Sequence, residues 1–94
     1  MTEKIRRILV EKLGAEYVQI LDESEKHAGH AGRKLGGGHF QAVIVSKAFE
    51  GLSLVKRHRK VYEVLGNLMN GEIHALSMKT FTPGEWMRAK VQTG

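Results

Sequence analysis

Between the turn-like Phe49-Glu50-Gly51 and the pair Asn70-Gly71, apolar side chains recur at helical spacing, and a segment of strand character lies on either side. Leu54, His58, Val61, Leu65 and Leu68 follow one another at intervals of four and three, the spacing of a buried helical stripe. The segment before it, Phe40 to Ser46, carries the β-branched run Val43, Ile44 and Val45, and Ile73 to Thr80 after it reads as another strand. A strand, a helical crossover and a second strand support a parallel pairing with right-handed connection. That arrangement narrows the folds open to so short a chain.

The flanking segments extend the pattern. Thr2 to Leu13 reads as an amphipathic helix with Ile5, Ile8, Leu9 and Leu13 on one stripe, Thr2 available as a cap and Gly14 as a stop. Tyr17 to Asp22 reads as a strand with Val18 and Ile20 on one face, expected to pair antiparallel with the next strand. A last helix is announced by Thr82-Pro83-Gly84-Glu85, a capping box with Pro at the first helical position, and Trp86 follows as its apolar anchor. The order α-β-β-α-β-α predicts an α+β fold: a three-stranded mixed sheet with helices on one side and the other face open. One domain over residues 1–94 is expected, a size that buries roughly 60–65% of the extended surface.

About 17 residues between the first two strands lack apolar periodicity, and loops of that length tend to be functional or disordered. Asp22-Glu23-Ser24-Glu25-Lys26-His27-Ala28-Gly29-His30 opens the stretch, and Gly36-Gly37-Gly38-His39-Phe40 closes it. Three of the five histidines, His27, His30 and His39, crowd there. Neutral imidazole is a common metal ligand, and His27 and His30 have the i, i+3 spacing of some metal sites. Two loop nitrogens still lack the third and fourth ligands of a closed zinc site. His39 adjoins a strand and reads as structural. His74 stands alone in Ile73-His74-Ala75-Leu76, and alternation places it with Leu76 and Met78, opposite Ile73 and Ala75. Two readings fit it: a half-buried ring bonded to a carbonyl, or an outward ligand whose direction the backbone fixes.

Composition excludes several functions. A hydrophobic fraction of 41% suits a small soluble core, and no apolar run approaches the ~20 residues of a membrane span. Met1-Thr2-Glu3-Lys4-Ile5-Arg6 lacks a signal-peptide pattern, so a cytoplasmic location without membrane attachment is expected. With no cysteine there is no disulfide framework, no thiol nucleophile and no four-thiolate zinc or iron–sulfur site. The serines lack a nucleophile-elbow context, and adjacent Asp22 and Glu23 point apart at a strand end. The chain is therefore not expected to be an enzyme.

The net charge of +5 is concentrated after residue 26, where ten basic side chains meet four acidic ones. Such an excess permits binding to nucleic acid or to an acidic protein. Lys56-Arg57-His58-Arg59-Lys60 could neutralise phosphates, although one turn of helix spreads these residues around its circumference. The arginines then read as a solvated face flanking a partner groove, and His58 as a partly buried packing residue. Gly29-His30-Ala31-Gly32 matches the phosphate-approaching loop of KH domains, but it lies between strands rather than helices.

Asp22-Glu23-Ser24 with His27, His39-Phe40, Val45-Ser46, Phe49-Glu50-Gly51, Arg57-His58-Arg59 with Val61-Tyr62, Ile73-His74-Ala75-Leu76, and Thr82-Pro83 with Glu85-Trp86 occur in that order across residues 2–90. Together these segments resemble the BolA-like family, whose α-β-β-α-β-α domain is akin to class II KH domains. The resemblance implies a chain that is monomeric and cofactor-free alone and forms a heterodimer with a monothiol glutaredoxin carrying a Cys-Gly-Phe-Ser motif. That heterodimer holds a [2Fe–2S] cluster, with the glutaredoxin cysteine and glutathione as thiolate ligands. The BolA-like partner supplies His74 and a loop histidine. By distance from Asp22-Glu23-Ser24 the loop ligand is His27; counting back from Phe40 favours His30. Iron–sulfur cluster trafficking in iron homeostasis is the function implied. The competing implication is DNA-binding transcriptional regulation, with Arg57, His58 and Arg59 as its surface. Against it stand the missing G-x-x-G between helices and the lack of base-stacking aromatics.

Overall fold

The computed structural model describes residues 1–23 and 38–93, with side chains through Lys90. The loop readings at His27, His30 and Gly29 to Gly32 lie outside the described residues. Element order is α1 (Thr2–Leu13), β1 (Tyr17–Asp22), β2 (Gly38–Val45), α2 (Leu54–Leu65), β3 (Ile73–Phe81) and α3 (Pro83–Thr93). The sheet runs β1-β2-β3, with β1 antiparallel and β3 parallel to the central β2. The expected α+β class and mixed sheet are what the chain forms. No helix of the described residues is long and apolar enough to cross a membrane.

Helix α1 turns Ile5, Leu9 and Leu13 inward and stops at Gly14, whose φ of 64° turns the following Ala15 N–H back to the Leu9 carbonyl. Thr2 does not cap it. Thr2 is already helical, Met1 holds the cap position, and no side chain accepts a bond there. The first turn of α2 also departs from expectation. Ser53 is the cap, accepting from the Lys56 N–H, and the inward stripe is Arg57, Val61, Leu65 and Leu68, while Leu54 is 61% exposed and His58 half-buried. An arginine occupies the inward position because its guanidinium has partners inside, described below. The α-helix ends at Leu65 rather than near Asn70, and a 3-10 turn over Gly66–Asn70 carries Leu68 into the core. The positive φ at this end belongs to Gly66 (54°); Gly71, at −160°, is extended.

Helices α1 and α2 cover one face of the sheet, where Ile5, Leu9, Ile44, Phe49, Val61 and Ile73 are sealed from water. Ser46, fully buried, joins strand to helix: its hydroxyl donates to the Leu13 carbonyl at 2.7 Å and accepts from the Ala48 N–H at 3.0 Å.

The second face is not wholly open, contrary to the expectation of helices on one side only. Tyr17, Val45 and Phe81 are successive cross-strand partners and so share that face. Trp86 of α3 lies over this row, with ring centres 5.1 Å from both Tyr17 and Phe81. Val45 beneath is 1% exposed although it stands outside the main core cluster. Thus α3 covers one end of the second face. The rest of that face, where Gln19, Leu21, Gln41, Ser77 and Lys79 are exposed, is uncovered by any described helix.

Candidate metal centre and partner surface

The uncovered part of the sheet begins at the β2–β3 pair. Gly38 pairs with Ile73 and His39 with Ala75, so β3 advances two residues where β2 advances one. His74 is the extra residue of a β-bulge. The bulge resets the alternation: Ile73 is buried, Leu76 packs against the core from the same side, and His74 and Ala75 are both exposed. His74 therefore does not share a face with Leu76 and Met78, as strict alternation required. The shift reverses the facing of the residues before it, and so turns the His74 ring outward.

Its ring meets that of His39, with centres 5.0 Å apart and planes at 35°. His39 is half-buried, and its carbonyl accepts from the Glu23 N–H at 2.8 Å, so the backbone beneath it is tied to the chain leaving β1. The two histidines end a row of outward positions continuing through Gln41 and Ser77 to Val43 and Lys79. A depression of about 400 Å³ lies along this row, lined by Gln19, Leu21, Gln41, Val43, Ser77 and Lys79 among others. Among the described residues no three His, Asp or Glu side chains converge as a metal site. What this chain presents there is imidazole on a rigid strand, needing further ligands to complete any coordination shell.

Arg57, expected on an outward surface with His58 and Arg59, instead points inward and is 7% exposed. Its Nε donates to the Leu52 carbonyl at 3.0 Å and its Nη1 to the Thr80 carbonyl at 3.2 Å. Nη1 and Nη2 also grip the Glu85 carboxylate at 2.7 and 3.0 Å, a two-pronged pair that suits the guanidinium plane. Glu85 accepts in addition from the Thr82 N–H, and the Glu85 N–H donates to the Thr82 hydroxyl, which is the capping box read from the sequence. One arginine thereby joins the start of α2, the end of β3 and the start of α3. Arg59 is exposed and His58 half-exposed, so only these two of the three remain available to a partner. The signal that could have found the clamp is the capping-box glutamate, whose second oxygen is free to take a cation.

The hydrogen bonds from Arg57 foremost, then that from the Thr82 N–H, hold the Glu85 carboxyl down at about 2, against an ordinary 4.5. A depressed carboxyl stabilises the fold above its unfolded pKa and loses that contribution as pH falls through the folded value. Acid should therefore erode the clamp between about pH 4.5 and pH 2. Glu85→Gln is expected to flatten the stability profile in that window and to cost about 1 kcal/mol at neutral pH, a modest figure because the carboxylate is partly solvated. Denaturant titrations of both proteins from pH 7 to pH 2 check this; parallel profiles would dismiss the clamp as the source.

A family model described as BolA-like protein matches residues 9–85, most of the chain. The chain belongs to the BolA-like family. Protein BOLA1, chloroplastic, of Arabidopsis thaliana is 45% identical over 85 residues, covering 87% of this chain and 53% of that protein. The DNA-binding transcriptional regulator BolA of Haemophilus influenzae is 37% identical over 84 residues, covering 87% and 81% respectively. The solved BolA domain of SufE1 from Arabidopsis superposes with a TM-score of 0.76 at 42% identity, covering 88% of this chain and 92% of that one. This chain spans about half the length of the chloroplast relative, and only 24% of the Arabidopsis SufE-like protein 1 that it also matches. The BolA-like segment is thus found both in short proteins and within longer ones. No catalytic family is indicated by these similarities.

Proposed function

We propose that this BolA-like chain is an iron–sulfur trafficking partner. It binds a monothiol glutaredoxin with a Cys-Gly-Phe-Ser motif and shares with it a glutathione-ligated [2Fe–2S] cluster. The observation that carries this reading is His74, set outward by the β3 bulge on backbone that fixes the direction of its ring. With no cysteine in the chain, the thiolates fall to the glutaredoxin and to glutathione. The donor set that remains fits a cluster needing nitrogen ligands from one side. His74 is one iron ligand and a loop histidine the other, His27 with His30 as alternative. When bound, the cluster supplies one-electron chemistry, with imidazole ligation raising its potential relative to an all-thiolate centre. His58 and Arg59 contribute to the docking surface, and the lone chain is a monomer without cluster.

Reconstitution with such a glutaredoxin, iron, sulfide and glutathione, followed by visible circular dichroism, tests the reading. His74→Ala is expected to fold normally, since the side chain is exposed, and to lose the spectrum of the mixed complex. A variant with wild-type spectrum and cluster lifetime would leave His74 without a role in ligation.

The Haemophilus relative's name favours a second reading, DNA-binding regulation. Arg57 cannot serve it, because its guanidinium is committed to Glu85; Lys56 and Arg59 are the exposed cations of that helix. Phosphate contacts alone give weak binding that falls steeply with salt and ignores sequence. A duplex held at physiological salt ~1,000-fold more tightly than random DNA would place regulation first.

A further inference from the structure

Strand β3 is an edge of the sheet, and its bonding pattern leaves part of its backbone open. The Ser46 N–H donates to the Phe81 carbonyl at 3.0 Å, so Phe81, and by alternation Lys79, Ser77 and Ala75, turn their main-chain groups toward β2. Thr80, Met78 and Leu76 turn theirs away. The Thr80 carbonyl, which accepts from Arg57 Nη1 at 3.2 Å, marks the same outward direction. Among the described residues nothing bonds the outward N–H and C=O groups of Leu76 and Met78. Natural sheets blunt their edges along the whole strand. This edge is interrupted only at its ends, by the His74 bulge and by Arg57, and the stretch between them is bare.

Beside that stretch runs one flank of α2. Leu54, His58 and Tyr62 follow one another along it at intervals of four, with Leu54 and Tyr62 exposed and His58 half-buried. The flank lies on the β3 side: Leu54 lines a cleft with Thr80 and Phe81, whereas Val64 on the other flank packs against the main core. Half-buried Leu76 and Met78 form the floor between helix and edge. Open main-chain groups on one side and an apolar wall on the other are what an added strand requires. Arg59, next to His58, and Lys79, next to Met78, are exposed and in no ion pair, while Glu85 at the near end is already matched by Arg57. The unmatched charge around the groove is thus positive. We infer that the β3 edge and this flank of α2 receive an extended acidic segment of a partner protein as a fourth strand. Its alternate apolar side chains lie against Tyr62, Leu76 and Met78, and its carboxylates lie on the side of Lys79. The inference does not rest on the glutaredoxin reading, because it involves main-chain pairing and no histidine ligation.

The probe is an acetylated, amidated heptapeptide of alternating valine and glutamate, titrated into the full chain and followed by backbone amide resonances and hydrogen exchange. The Leu76 and Met78 amides are expected to shift and, at saturation, to exchange at least about tenfold more slowly. Tyr62→Ser is expected to weaken the peptide about tenfold, and Lys79→Glu about three- to fivefold, the scale of an exposed ion pair. Both side chains are exposed, so both variants should fold. Of two peptides N-methylated on alternate residues, one loses its bonding edge and is expected to bind at least about tenfold more weakly than the other. Leu76 and Met78 amides that neither shift nor gain protection overturn the inference, as do two methylated peptides of equal affinity. Protection of the same amides without peptide, in a dimer that forms with concentration, gives the edge to a second copy and overturns it too. Because no glutaredoxin or cluster is present, failure here leaves the cluster reading intact, and failure of the mixed complex leaves this groove intact.

Discussion

Replacing Arg57 with alanine is expected to cost about 3 kcal/mol of folding stability, near the lower end for removing one member of a buried pair. The change deletes the donors to the Leu52 and Thr80 carbonyls and both bonds to Glu85. It also empties an inward position between α2 and α3. The cost stays toward the lower end because the Glu85 side chain is 36% exposed and can be rehydrated once its partner is gone. For a domain of this size a loss of about 3 kcal/mol lowers the melting temperature by roughly 12–24 °C. Thermal and denaturant unfolding of Arg57→Ala, Glu85→Gln and the double variant measure it, and the cycle should give a coupling above about 1 kcal/mol. A loss under about 1 kcal/mol for Arg57→Ala would mean the residue is a surface cation after all. The same experiment bears on function, since any weakening of partner binding in an Arg57 variant would be a consequence of folding rather than of a lost contact.

Trp86→Ala carries the other large effect. The indole packs on both Tyr17 and Phe81, the partners that flank Val45, so its removal strips aromatic cover from this row of cross-strand neighbours. Large aromatic-to-alanine changes cost about 3–5 kcal/mol in a closed core; here, at a half-buried position, about 2–3 kcal/mol is expected. Tyr17 should become more exposed, which a shift of its fluorescence toward that of a solvated phenol, together with a lowered denaturant midpoint, would register. An unchanged midpoint would place α3 outside the cooperative fold.

Much of this architecture is legible in the residues themselves. Gly14 as a helix stop, the β-branched β2 and the Thr82–Glu85 capping box each have a local cause, and each sits where that cause predicts. The rest depends on long-range geometry. Leu54 and Arg57 lie one helical turn apart, and hydropathy alone assigns the inward position to leucine; the carboxylate that draws arginine inward comes 28 residues later. Trp86 reads correctly as an anchor, but periodicity does not tell which face of the sheet receives it. His74 illustrates the limit most clearly. Alternation assigns it to the side of Leu76, whereas a one-residue register shift against β2 reverses the assignment, and only the pairing of two strands contains that shift. His27 and His30 lie outside the described residues, so the loop half of the proposed ligand set rests on the sequence resemblance alone.

The manner in which α3 is fastened gives the molecule an uneven opening landscape. Its first turn is fastened by an ion pair, a reciprocal cap and an indole, and no residue from Pro83 to Lys90 is fully buried. Segments with few buried contacts detach at a fraction of the free energy of global unfolding. The helix is thus the natural first unit to lift, and its amide protons should exchange ahead of those in β2. What such an excursion uncovers is not neutral ground: Tyr17, Val45 and Phe81 would turn a mostly polar sheet surface into one with an apolar end. The extent and character of the face opposite the main core are therefore set by the residence time of the last helix.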